Sequence, residues 1–260
     1  GMKARVAGIA VLGAGFGSWA ETRAILTGAQ TWQAQPLVPP KAMVLPPNER
    51  RRASPLVRLA LGVAQAACDD AGLSGADMDC VFASALGDGQ VAHAILTALA
   101  TPEKAVSPTQ FHNSVHNAMA GYWSIGVGNH AASTSLAAGD YTFGAGLLKA
   151  MLTVSQEKRP TILVAVDYPF PDPLNATRPI GAPFGVALVL RPDHDTGTGA
   201  CLALTYSQAQ AATPPRQADL RTLWKDCPPA KALPLLEGLI APTRIVMEAG
   251  SGYFLDVEVF

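Results

Sequence analysis

Short apolar runs alternate with amphipathic stretches from the N-terminus to Ser207. Five of the runs read as buried strands: Ala4 to Leu12, Cys80 to Ala85, Ser133 to Ala137, Thr161 to Val166 and Gly185 to Leu190. Each is brief, rich in Val, Ile, Leu or Ala, and bounded by glycine, proline or acidic residues. Ser54 to Ala71 carries the clearest helical pattern. Ser54 stands as N-cap with Pro55 at the first helical position, Leu56, Leu59, Ala60, Val63 and Ala67 recur at helical spacing, and Gly72 sits where the helix must end. A second helix is predicted to start after Asp140, which is a favourable cap, and to run through Phe143, Leu147, Leu148 and Met151. This alternation predicts a layered α/β domain, a five-stranded mixed sheet covered by helices.

The tail reads differently. Ala209 to Pro234 is dense in Pro, Gln, Ala and charged residues, and Thr213 to Pro229 reads as a linker. An apolar helix, Leu233 to Leu239, then precedes a strand pair around Gly250. The expected division is one domain over residues 2–208, followed over 209–260 by a linker with a short C-terminal helix and strand extension.

Composition narrows the function classes. With 260 residues, 49% of them hydrophobic, the chain can bury a sizeable core. Nineteen Lys and Arg against twenty Asp and Glu leave it near neutral, Arg50, Arg51 and Arg52 beside Glu49 being the main cluster, so no nucleic-acid or membrane surface is expected. The longest apolar stretches are too short or too interrupted to span a bilayer, and a cytoplasmic location is expected. Cys68, Cys80, Cys201 and Cys227 are scattered, without a CxxC pair or the setting that favours a thiolate, and each reads as a small buried hydrophobe. No metal and no cofactor is expected.

Two local motifs have bland readings that win. Gly13-Ala-Gly-Phe-Gly after an apolar strand suggests a dinucleotide site, but no acidic residue ends a second strand about twenty residues on, so it reads as a structural turn. His112 and His116 could share a helical face, yet a third ligand is not evident, so polar helix-start or interface roles are expected, and His130 reads as solvent-facing.

Three stretches, in order and spacing, resemble the N-terminal half of β-ketoacyl synthases, the thiolase-fold condensing enzymes of fatty-acid and polyketide assembly. They are Val6 to Gly15 with Trp19; Arg51 to Leu73, ending in Asp-Ala-Gly-Leu; and Ser107-Pro with Asn117 to Ile125 and Ser133 to Gly139. Phe184 to Leu190 resembles the closing strand of that half. In the family a cysteine stands at the elbow between strand and helix, where the helix dipole and backbone N–H groups favour the thiolate. The resemblance puts Asp140 there. A carboxylate cannot simply replace the thiol, because acylation would give a high-energy anhydride. The family's two catalytic histidines belong to a C-terminal half without a counterpart here, and His194-Asp-Thr-Gly-Thr-Gly, superficially like a family motif, reads as a turn after the closing strand.

The resemblance thus implies a catalytically degenerate subunit with no catalytic residue of its own. Its expected partner is an active ketosynthase in a heterodimer, with an acyl carrier protein involved indirectly and a role similar to a chain-length factor, as in aryl polyene or related polyketide assembly. Phe111, Met119, Tyr122 and Trp123 fall in the segment that, by resemblance, reaches toward the partner's acyl tunnel; with His112 they are the expected tunnel or interface residues. Ser133 and Ser135 lie on the strand that the resemblance places at the sheet edge and dimer interface. Two rival readings stand beside this one. The first is a residual acyl-thioester decarboxylase or hydrolase using Asp140 or a histidine as base, the second a self-dimer that binds an acyl group or carrier protein.

Overall fold

The computed structural model describes residues 1–85, 100, 103, 118–128, 131–169, 181–194 and 197–260. Each strand expected from sequence forms, as β1 (Met2–Gly13), β2 (Asp79–Ala83), β3 (Ser133–Leu136), β4 (Thr161–Asp167) and β5 (Phe184–Pro192). Three more, β6 (Cys201–Ser207), β7 (Arg244–Gly250) and β8 (Tyr253–Val259), join the same sheet. Among the described residues the sheet therefore has eight strands rather than five, in the order β3-β2-β4-β5-β1-β6-β8-β7. The length of β1 explains the difference: its Ala4–Gly13 stretch pairs with β5, while Met2–Arg5 pairs on the other side with β6, which continues to β8 and β7. β2 runs parallel to β3 and β4 and the remaining pairings are antiparallel, so the sheet is mixed.

Side chains alternate between two faces, and each face has its own core. On one, α3 (Pro55–Ala71), which follows the short helices α1 (Trp19–Leu26) and α2 (Pro47–Arg52), and α4 (Ala118–Val127) cover Cys80, Phe82, Ile162, Val164 and Ala187. On the other, α5 (Thr142–Glu157) buries Phe143, Leu147, Met151 and Val154 against Val81, Leu163, Val186 and Leu188. The helix α3 is capped as its sequence dictates. The Ser54 hydroxyl accepts from Val57 N, Pro55 opens the first turn, and Gly72 closes the helix in the left-handed conformation, φ 67°. Just before its end, Asp70 accepts from Ile9 N at 2.8 Å, a donor beside the β-bulge at Ala7. Gly8 lets strand and helix touch there: a side chain would meet Ala67 O at 2.3 Å.

The C-terminal residues pack on the α5 face. Segment 213–229 contains α6 (Arg221–Asp226) and buries Leu220, Leu223 and Cys227, and α7 (Leu233–Ile240) adds Leu233, Leu235 and Leu236 to the same core. Gly144, in the first turn of α5, lies so close to β7 that a Cβ would stand 2.0 Å from Glu248 O. The terminal hairpin therefore curls over the helix that the other end of the sheet also covers. On the outer side of β7, Thr213 N donates to Val246 O at 2.9 Å and Val246 N donates to Thr213 Oγ1 at 2.8 Å. Among the described residues no helix is long and apolar enough to cross a membrane.

Asp79 secures the opposite edge. Its carboxylate, 1% exposed, accepts from Arg159 Nε and Nη2 at 3.1 and 2.5 Å and from Ala132 N at 3.1 Å, immediately ahead of β3. Asp79→Ala removes three charge-assisted bonds but leaves Arg159 partly solvated, so a loss of roughly 2–3 kcal/mol is expected. Amide exchange at residues 132–136 should accelerate before the rest of the sheet; unchanged protection there would show that β3 is held by other means.

Candidate functional site

β3 ends at Leu136, and the chain then turns at Gly139, whose φ of 53° is left-handed, into a 3₁₀ turn over Gly139–Tyr141 that leads into α5. Tyr141 N donates to Ala138 O at 3.0 Å, and the Thr142 hydroxyl donates to Gly139 O at 2.5 Å while accepting from Ala138 N at 3.4 Å. Asp140 is thus not the N-cap expected from sequence. The helix begins at Thr142, and the 3₁₀ turn carries Asp140 around to an exposed position with no capping bond.

Asp140 and Tyr141 form one wall of a pocket of about 420 Å³. The other walls come from the C-terminal residues: Gln210–Thr213, Trp224 and Lys225 of α6, Lys231, Pro234, and Val246–Glu248 of β7. Lys231 Nζ lies 4.2 Å from the centroid of the Trp224 ring, inside cation–π range. Burial lowers the Lys231 pKa from the ordinary lysine value, while the negative charges of Asp140, Glu248 and Asp226 work against that shift. None of the four cysteines lines the pocket. All four are buried and none forms a disulfide, and burial pushes the thiols of Cys68 and Cys80 up to about 12, outside the range of a nucleophile at neutral pH.

Asp167 ends β4 at the same end of the sheet. It is 2% exposed, and both its oxygens accept from the same donor, Ala85 N, at 2.9 and 3.2 Å. Burial raises its pKa to about 7, the bond from Ala85 opposing the shift. Cys227 donates to Ala182 O at 3.4 Å nearby, its thiol pushed up first by burial and then by the Asp167 charge.

The other residues singled out from sequence occupy three places. Met119, Tyr122 and Trp123 are buried on the α3 face, away from the elbow pocket, and the Trp123 ring fills the space that a side chain at Gly75 would take. Ser133 and Ser135 lie on β3, the last strand of the sheet among the described residues, whose next neighbours in the chain form the elbow. Cys80 N bonds to Ala132 O and Ser84 N to Leu136 O, so in the parallel register the backbone of Ala132, Thr134 and Leu136 faces β2 while that of Ser133 and Ser135 faces outward. Among the described residues the Ser135 hydroxyl has no hydrogen-bond partner. Phe111, His112, His116 and His130 lie outside the described residues. His194 sits in the β5–β6 turn, at the end of the sheet opposite the elbow, as the turn reading requires. The Gly13 motif is a tight turn closed by paired bonds between Gly13 and Phe16. Among the described residues no group of three or more His, Cys, Asp and Glu could hold a metal ion.

Sequence reading missed Lys231, Trp224, Glu248 and Asp167. The available signals were a lone lysine in the apolar run Pro228–Leu236 and an acid closing the otherwise apolar Thr161–Val166.

A family model described as beta-ketoacyl synthase, N-terminal domain, matches residues 22–233. No curated protein matches the chain. Among solved structures, a chain from the complex of the ketosynthase ApeO with its chain length factor ApeC, from Xenorhabdus doucetiae, superposes with a TM-score of 0.70 at 22% identity, covering 99% of this chain and 100% of that one. A chain of the ishigamide ketosynthase/chain length factor gives 0.66 at 13% identity, over 100% and 99%. A beta-ketoacyl synthase from Burkholderia phymatum gives 0.63 at 16% identity, over 89% of this chain and 71% of that one. These likenesses establish a thiolase-like ketosynthase fold.

Proposed function

We propose, from the premise that this chain belongs to the beta-ketoacyl synthase family by its match to the N-terminal domain over residues 22–233, that it is a chain-length-factor-like subunit. It pairs through β3 with an active ketosynthase and shapes the length of the acyl chain that the partner builds, in polyketide assembly of the aryl polyene type. The observation that carries the reading is the elbow. Strand, left-handed glycine, tight turn and buried helix are all built, yet the side chain presented is a carboxylate, and none of the cysteines lines the pocket beside it. Acyl transfer from a thioester needs a thiolate or hydroxyl there, since the mixed anhydride that Asp140 would form lies uphill of the thioester. The outward-facing backbone of β3 supplies the complementary feature, because an unpaired edge strand is a template for a second sheet. Two solved structures with nearly full mutual coverage of the fold are a ketosynthase with its chain length factor.

Co-expression with any ketosynthase found encoded nearby tests the reading. A stable complex of one copy of each, whose products are longer or shorter than those of the ketosynthase alone, is expected. A chain that stays monomeric and leaves both activity and product length unchanged would sink it. Turnover of a β-ketoacyl thioester by the purified chain alone, abolished by Asp140→Asn, would replace it with an enzyme.

A further inference from the structure

Asp140 and Tyr141 supply one wall of the elbow pocket, and every other lining residue lies between Gln210 and Glu248. Charges of both signs meet there, the carboxylates of Asp140 and Glu248 and the ammonium groups of Lys225 and Lys231. They come from four separate parts of the fold: the elbow, β7, α6 and a 3₁₀ turn over Pro228–Ala232. Among the described residues, ion pairs join Arg159 to Asp79 and Arg244 to Asp256, and none joins these lysines to these carboxylates. Opposite charges are therefore brought to one cavity without neutralising each other. Lys231 is half-buried, with its Nζ 4.2 Å from the centroid of the Trp224 ring. An ammonium drawn out of water in this way is costly unless an anion reaches it. Pro234 and Met247, both buried, and half-buried Val246 make up the apolar part of the lining.

We propose that the elbow pocket binds an α-amino acid with a large apolar side chain, its carboxylate accepting from Lys231 and Lys225, its ammonium donating to Asp140 and Glu248, and its side chain packed on Pro234, Val246 and Met247. Simpler ligands fit the lining less well. An anion alone would be set against two carboxylates, a cation alone against two ammonium groups, and a neutral apolar molecule would strip water from all four without replacing it. A zwitterion answers both signs at once. The cavity, about 420 Å³, is of the size that small-molecule sites have. Asp140, unfit to accept an acyl group, acquires a positive role as an anchor for the ligand. The pocket lies wholly within one chain, so the inference stands whether or not a ketosynthase partner is found.

Isothermal titration calorimetry of the full chain with L-phenylalanine, hydrocinnamate and phenethylamine tests it, since the second probe lacks the ammonium and the third lacks the carboxylate. L-Phenylalanine should bind with a Kd on the order of 0.1–1 mM, and each analogue about tenfold more weakly or worse, the worth of one charge-assisted bond. Asp140→Asn should weaken L-phenylalanine about three- to tenfold, yet bind hydrocinnamate no worse than the parent does, because that probe has no ammonium to lose. Lys231→Met should weaken L-phenylalanine and spare phenethylamine. No binding of L-phenylalanine at roughly 10 mM would overturn the site. So would equal affinity for the three probes, an Asp140→Asn variant that binds L-phenylalanine as the parent does, or a loss in that variant that falls equally on L-phenylalanine and hydrocinnamate. Asp140 is exposed, so its variant stays informative even where Lys231→Met fails to fold.

Discussion

The Ser135→Pro variant should lose all measurable pairing with the ketosynthase while the isolated chain keeps its fold. The register of β3 makes this separation available. Backbone groups of Thr134 and Leu136 are engaged by β2, whereas those of Ser135 point away from the sheet. Proline at an outward position removes a donor that no other described residue uses and is tolerated on an edge strand. A second sheet added at this edge would need that donor, and the proline ring would also block its approach. Size-exclusion chromatography of co-expressed proteins reads the pairing, and thermal unfolding of the variant alone reads the fold. Intact complex from Ser135→Pro would show that pairing uses another surface. The same proline at Thr134, facing β2, should instead destabilise the monomer.

Stability should fall as pH rises from about 4 to about 8, and Asp167→Asn should remove most of that fall. Burial raises the Asp167 pKa from 3.8 to about 7, so the folded chain holds this proton more tightly than the unfolded chain does. Stability contributed by the protonated carboxyl is therefore complete below the unfolded pKa and lost as pH climbs through the folded one. A shift of roughly three units corresponds to at most about 4 kcal/mol. Asparagine keeps an oxygen for the Ala85 N–H and carries no charge to bury, so the variant should match the parent below about pH 4 and exceed it increasingly up to pH 8. Glu237, whose pKa burial also raises, adds a slope of the same sign to both proteins. The difference between their urea midpoints across this window therefore isolates Asp167. Parallel curves for the two would refute the assignment.

What could be read in advance was whatever is written in local chemistry. The helix Pro55–Ala71 was legible to the residue because serine, proline and glycine mark its two ends, and the strands around the centre of the sheet announced themselves as short apolar runs. β6 was less visible because its last turn-proximal residues, Thr205 and Tyr206, are exposed and break the apolar run. The turn between the Ser133–Ala137 strand and the next helix was expected and forms, but its geometry was not legible: Asp140 is a good cap by composition, and only the left-handed Gly139 with the Thr142 hydroxyl decides that the helix starts later. The elbow pocket was illegible. Lys231, Trp224 and Glu248 are distant in sequence from Asp140, and no local spacing encodes their meeting, which depends on the curl of the terminal hairpin over α5.

Thr213 bears on how many molecules can assemble. A sheet with two open edges can add neighbours at both and grow without limit, which is the route to fibres rather than complexes. Here the hydroxyl and amide of one threonine already occupy the donor and acceptor of Val246 on the β7 side. One donor and one acceptor of that edge are thereby taken, so on the pairing proposed above the sheet gains its neighbour at β3, and Thr213 favours an assembly that stops at two chains.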